Sequence, residues 1–297
     1  MLCQFCGHTG TVSFMKTRRR SEVMIASFLT FGLVLPFLNT QKKASHPGAE
    51  KERPLGFGEV IDHANHGVCA IVRADNQLGF GVPIGSGFFV NDSGYFVTNA
   101  HVARSYFSLR GQGVPVGLSV PTFVPNSSRI GGAGVADVTE VEISDEADIA
   151  LLRADNFRGA GKPNFLRLKF DSEIRPGDEV AITGFPLSHP DPITITASVA
   201  SAWENGTFVD DLSGGRPPGP YYFVDKAIFR GFSGSPVYLR ATGDVVGIAA
   251  RTLSAPLETI VGPSDALKVP ALGQVLTLDK LRGMLTKHNV SYTTAAR

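Results

Sequence analysis

Gly94-Tyr95-Phe96-Val97-Thr98-Asn99-Ala100-His101-Val102 is a short apolar strand running into a turn that presents a histidine. Two further segments have the same build, a strand joined to a turn: Asp145-Glu146-Ala147-Asp148-Ile149-Ala150-Leu151-Leu152, and Gly231-Phe232-Ser233-Gly234-Ser235-Pro236. Together they offer a His, an Asp and a Ser, the general base, orienting carboxylate and nucleophile that acyl transfer requires. A serine hydroxyl barely ionises at neutral pH, so His101 would accept its proton during attack and return it to the leaving amine, while Asp148 fixes the imidazole tautomer. The glycines around Ser233 let the backbone turn tightly enough to aim N–H groups at an oxygen on which negative charge develops.

Outward from these segments the chain reads as mostly β. Apolar runs at Gly67 to Arg73, Gly87 to Val90, Tyr95 to Thr98, Val138 to Ile143 and Ile149 to Arg153 are broken by Gly, Asn, Asp and Ser. A second series covers Glu179 to Thr183, Ile193 to Ala202, Tyr221 to Val224, Pro236 to Leu239 and Val245 to Ala249. Two all-β lobes follow, and 33 Gly and 19 Pro among 297 residues suit short strands and many turns. His101 and Asp148, 47 residues apart, fall in the first lobe and Ser233 in the second, so the chemistry belongs to the cleft between lobes. Arg110 to Ala136 and Asp210 to Pro220 are expected to be long surface loops. Leu278, Leu281 and Leu285 share one helical face, with Lys287 and His288 at its carboxyl end, which predicts a short closing helix.

With these residues in place, the sequence resembles the chymotrypsin-like (trypsin-like) serine peptidases, and more closely the exported HtrA (Deg) branch, over roughly residues 67 to 275. The order His, Asp, Ser matches theirs. So do Gly85-Ser86-Gly87-Phe88, Gly177-Asp178-Glu179-Val180 with Gly184-Phe185-Pro186, Asp225-Lys226-Ala227-Ile228, and Gly243-Asp244-Val245-Val246-Gly247-Ile248. The resemblance implies an all-β fold of two antiparallel Greek-key barrels with the site at their junction. The chain is thus expected to divide into a first barrel (58–165) and a second barrel with the closing helix (166–297), after a leader (1–44) and a polar linker (45–57) read from their own composition. The resemblance also implies a serine endopeptidase acting on proteins or peptides, with His101, Asp148 and Ser233 as triad, the N–H groups of Gly231 and Ser233 as oxyanion hole, and no cofactor or metal.

The sequence departs from the family in three ways. Family members usually have a polar residue before the nucleophile and Gly after the following Gly, where this chain has Phe232 and Ser235. Phe232 adjoins the peptide that should help form the oxyanion hole, so a resting state switched on by loop movement is the alternative. The PDZ module that usually follows this protease domain is not expected within these 297 residues. By the family's spacing the specificity pocket has Ala227 at its base and Gly247, Ile248 and Ala249 in its wall. No charge lines it, which implies a preference for small or medium apolar side chains over Arg, Lys or Glu. A catalytically silent or latent protein on the same scaffold, binding peptides or holding unfolded chains, is the rival. An esterase is disfavoured because the Gly-x-Ser-x-Gly elbow is missing.

Charge and cysteines narrow the classes further. The formal net charge is +1, but Lys16, Arg18, Arg19, Arg20, Lys42 and Lys43 against Glu22 place +5 before residue 45, so the remainder carries −4 and nucleic acid is a poor partner. The apolar run 23–38 after that basic cluster has the anatomy of an export signal. Its sixteen residues reach about 24 Å as a helix, short of the roughly 30 Å hydrocarbon core, so a cleaved signal is favoured over a membrane tether. Met15 alone would open an ordinary leader and is an alternative start. The protein is thus expected to be periplasmic or secreted, or anchored by residues 23–38. Cys3, Cys6 and His8 make half a zinc site with no second pair of suitable spacing. Cys69 is expected to be a buried strand residue, and the other six histidines (His8, His46, His63, His66, His189 and His288) to be packed or solvated.

Overall fold

The computed structural model describes residues 55–75, 80–124, 129–170, 173–203, 220–256 and 268–295. The leader, most of the linker, and all but the last residue of the expected 210–220 loop lie outside the described residues. Among those described, no helix is long and apolar enough to cross a membrane.

The first six strands are β1 (Val68–Asp75), β2 (Phe80–Phe89), β3 (Tyr95–Thr98), β4 (Val116–Phe123), β5 (Ile130–Ser144) and β6 (Ile149–Arg158). They close in the order β1-β2-β3-β6-β5-β4, antiparallel throughout. The next six, β7 (Glu179–Gly184), β8 (Ile193–Trp203), β9 (Tyr221–Val224), β10 (Pro236–Leu239), β11 (Val245–Pro256) and β12 (Lys268–Leu276), close in the same order, β7-β8-β9-β12-β11-β10. The fold is therefore the expected pair of antiparallel barrels. Closure leaves neither sheet an unpaired edge.

The continuous apolar runs in the sequence arise because many strands are buried on both faces. Phe89, Phe96 and Leu152 fill the first barrel, while their neighbours Phe88, Val97 and Leu151 face a separate apolar layer. The second barrel repeats the pattern: Val180, Ile182 and Val237 point inward, whereas Ala181 and Tyr238 join that same layer. Cys69 is fully buried as a free thiol in the first barrel, and burial pushes its pKa up. The closing helix α3 (Asp279–Lys287) places Leu281, Met284 and Leu285 in the shared layer.

Three features depart from the sequence reading. The stretch expected as one loop from Arg110 to Ala136 contains β4 and the first half of β5, paired from Leu118↔Ala136 to Phe123↔Ile130. Its alternation is masked by Pro121, Gly131, Gly132 and Gly134, so only pairing reveals the strands. Helix α1 (Phe57–Gly67) begins where the expected linker ends and opens the expected first barrel with a helix; it buries Val60 and Ala64, with Glu59 accepting the Gly56 N–H at 2.8 Å. The turn after β3 is the start of a twelve-residue helix, α2 (Ala100–Gly111).

Candidate active site

His101 is the second residue of α2, and Asp148 closes the turn before β6 with φ +52°, a left-handed conformation that an Asp tolerates better than most residues. The carboxylate does two things there. Its Oδ1 accepts the His101 backbone N–H at 3.0 Å, placing an anion at the positive end of α2. Both its oxygens lie 3.0 Å from His101 Nδ1, so Nδ1–H donates to them and Nε2 is left as the free basic nitrogen. The imidazole is half exposed and the carboxylate mostly buried, at 51% and 15% side-chain exposure.

Asn99, fully buried one residue ahead of α2, holds this pair together. Asn at a helix start normally caps with its own side chain. Here it makes no such cap, and its Nδ2 donates instead to the Asp148 carbonyl at 3.0 Å. Its place two residues before His101 was the one signal in the sequence, and only the contact reveals its role.

The Ser233 loop needs two glycines. Gly231 has φ +98° and Gly234 φ +89°, and a Cβ at Gly234 would run into the Ser86 carbonyl oxygen. Phe232 N–H closes a turn onto Phe229 O at 3.0 Å, and Ser235 N–H bonds Phe232 O at 2.9 Å. Flanking the Phe232 amide on either side, the N–H groups of Gly231 and Ser233 find no acceptor among the described residues. The Phe232 ring is buried in the core of the second barrel, so it points away from the cleft.

The Gly85-Ser86-Gly87 segment of β2 clamps this loop from the first barrel. Ser86 N–H donates to Ser233 O at 2.8 Å, and Ser86 Oγ donates to Gly231 O at 2.6 Å while accepting the Phe185 N–H at 2.9 Å. Thr98, at the end of the histidine strand, donates to Ser86 O at 2.7 Å. One buried serine thus ties the His-bearing and Ser-bearing segments into a single frame.

His101, Asp148 and Ser233 line one cleft of about 760 Å³. Ser233 Oγ donates to Ala250 O at 2.9 Å in this arrangement, so the hydroxyl is turned onto β11. The cleft wall consists of Ile228, Phe229, Arg230, Ala250, Arg251 and Thr252. Of the expected pocket residues, Ala227 is half-buried beside this wall, whereas Gly247, Ile248 and Ala249 are buried inside β11. Ile248 joins the shared layer and Ala249 the second barrel's core. The wall therefore lies further along the strand, past a bulge between Ala249 and Arg251 that resets which side chains face out. Thr252 Oγ1 donates to Ile228 O at 2.6 Å, pinning the two sides of the pocket together.

Charges at the rim are unevenly paired. Arg104 donates to Asp145 through both Nε and Nη2, at 3.2 and 2.9 Å, and that hydrogen bonding holds the Asp145 carboxyl below its usual range. Arg230 and Arg251 have no carboxylate partner among the described residues. No group of three or more His, Cys, Asp or Glu among the described residues could hold a metal ion.

Residues 85–248 match the family model described as a trypsin-like peptidase domain. The chain is 29% identical over 184 residues to a protein named serine protease HTRA1 from Xenopus laevis, covering 62% of this chain and 34% of that one. A protein from Rhizobium meliloti named "Probable periplasmic serine endoprotease DegP-like" is 31% identical over 164 residues, 55% of this chain and 27% of the relative. Mouse serine protease HTRA4 is 29% identical over 190 residues, 62% and 33% respectively. The chain thus spans about a third of the length of these relatives.

Proposed function

Because the chain belongs to the trypsin-like peptidase domain family, we propose that it is a serine endopeptidase cleaving protein substrates through an acyl-enzyme at Ser233. The observation that carries this reading is a His101 imidazole oriented by Asp148, opening with its free nitrogen onto the cleft that holds Ser233.

Ser233 Oγ first rotates off Ala250 O. Its proton then passes to His101 Nε2 as the Oγ–C bond forms, and Asp148 stabilises the resulting imidazolium. The substrate oxygen takes up negative charge opposite the free N–H groups of Gly231 and Ser233. The C–N bond breaks as His101 returns the proton to the leaving nitrogen. Water, deprotonated by His101, repeats the sequence to release the acid.

The residue before the scissile bond would be small or medium-sized and apolar. Ile228, Phe229 and Ala250 line the cleft, and the Thr252–Ile228 bond holds its two sides together. With the basic cluster and apolar run of the leader, the site of action would be outside the cytoplasm, free or tethered through residues 23–38.

The test is a fluorophosphonate probe on the full chain, with the adduct located by mass spectrometry. An adduct on Ser233 that disappears in His101→Ala is the expected result. No adduct from folded protein would instead favour a latent or silent peptide-binding protein, a reading that the Ser233–Ala250 hydrogen bond supports.

A further inference from the structure

The cleft holds more positive charge than the reaction uses. Asp148 is engaged by His101 and Asp145 by Arg104, which leaves Arg230 and Arg251 on the wall without a carboxylate among the described residues.

Arg251 is also held in place. Its Nε donates to Gln274 Oε1 at 2.7 Å, and Gln274 is fully buried on β12, with its Nε2 unpartnered. A buried amide is a costly support for a side chain that water could have solvated. Being neutral, it fixes the guanidinium without cancelling its charge. With Nε occupied, the two terminal nitrogens remain as a planar pair of donors whose geometry matches a carboxylate. The rotamer entropy that a free arginine would lose on binding is already spent. Arg230 sits on the facing loop, directly before Gly231, and Thr252 ties that loop to the Arg251 strand.

We propose that the cleft selects substrates carrying an acidic side chain beside the scissile bond, with its carboxylate gripped by the terminal nitrogens of Arg251 and drawn in by Arg230. This rests on the endopeptidase reading and adds to it: an apolar residue meets Ile228 and Phe229, and an acidic neighbour meets the arginines.

The experiment uses quenched peptides with Ala or Val before the scissile bond and Glu, Gln or Lys at each of the three preceding and two following positions. Cleavage by the full chain is measured alongside anisotropy binding of the same peptides to full-chain Ser233→Ala. Glu should beat Gln by about tenfold or more at one position, in both cleavage and binding. The advantage should shrink with added salt, vanish in Arg251→Met and turn toward Lys in Arg251→Glu. Binding to Ser233→Ala that is equal for Glu and Gln at every position overturns the proposal, whatever the turnover. Acid-selective binding without any fluorophosphonate adduct would uphold the acidic selectivity and remove the endopeptidase reading.

Discussion

Removing one hydroxyl, in Ser86→Ala, should disable the site from a distance. Ser86 is fully buried, and its Oγ serves two backbone groups at once, the Gly231 carbonyl at 2.6 Å and the Phe185 amide at 2.9 Å. The alanine methyl can replace neither bond. A buried polar group left unsatisfied costs about 1–3 kcal/mol, so two of them cost roughly 2–6 kcal/mol. At about 2–4 °C per kcal/mol for a domain of this size, the melting temperature should fall on the order of 10 °C. The bonds to Ser86's own main chain, Ser86 N–H to Ser233 O and Thr98 Oγ1–H to Ser86 O, remain, so the fold should survive. The loop carrying the Gly231 and Ser233 amides loses its anchor at Gly231 and keeps the one at Ser233, and kcat should drop by about 10- to 100-fold with KM nearly unchanged. Calorimetry and steady-state kinetics on one preparation read both quantities. A melting point within about 1 °C of the parent, together with an unaltered kcat, would refute the clamp.

Ser233→Ala should lower turnover on the order of 10⁶-fold, His101→Ala comparably and Asp148→Asn somewhat less, measured as kcat on a common peptide. Retained turnover in Ser233→Ala would mean a different nucleophile. Gly234→Ala should cost about 3 kcal/mol or more in urea unfolding, because φ is +89° and the new Cβ meets the Ser86 and Thr98 oxygens. Gly111→Ala, with open space around it, should change little. Glu142 joins α3 to β5 through Lys287 at 3.0 Å and His288 at 2.7 Å. Burial raises its pKa, but these two partners outweigh it, so the net shift is downward. A lowered carboxyl contributes stability above its unfolded pKa and loses it as pH falls through the folded value. Glu142→Gln should therefore flatten the acid limb of stability below about pH 4.5, and parallel acid limbs for the two proteins would contradict it.

What could be read from the chain alone was the chemistry that is local. His101, Asp148 and Ser233 each stand in a short strand–turn segment with a recognisable build, and the two lobes show because strands buried on both faces leave unbroken apolar runs such as Ile149 to Leu152. The closing helix was legible for the same reason, through three leucines on one face. Sequence alone did not reveal what depends on distant pairing. β4 and β12 are rich in breakers, Pro121 in one and Pro270 and Gly273 in the other, and they exist because strands far away in sequence supply their hydrogen bonds. Counting positions along β11 placed the pocket wall at Gly247 to Ala249, yet a bulge that no local pattern announces turns Arg251 toward the cleft. The same holds for Ser86 and Asn99, whose polar atoms act on residues 145 and 49 positions away. Residue types fix which chemistry is possible, whereas register, bulges and long-range hydrogen bonds decide which of those groups meet, because burial rewards contacts irrespective of their separation along the chain.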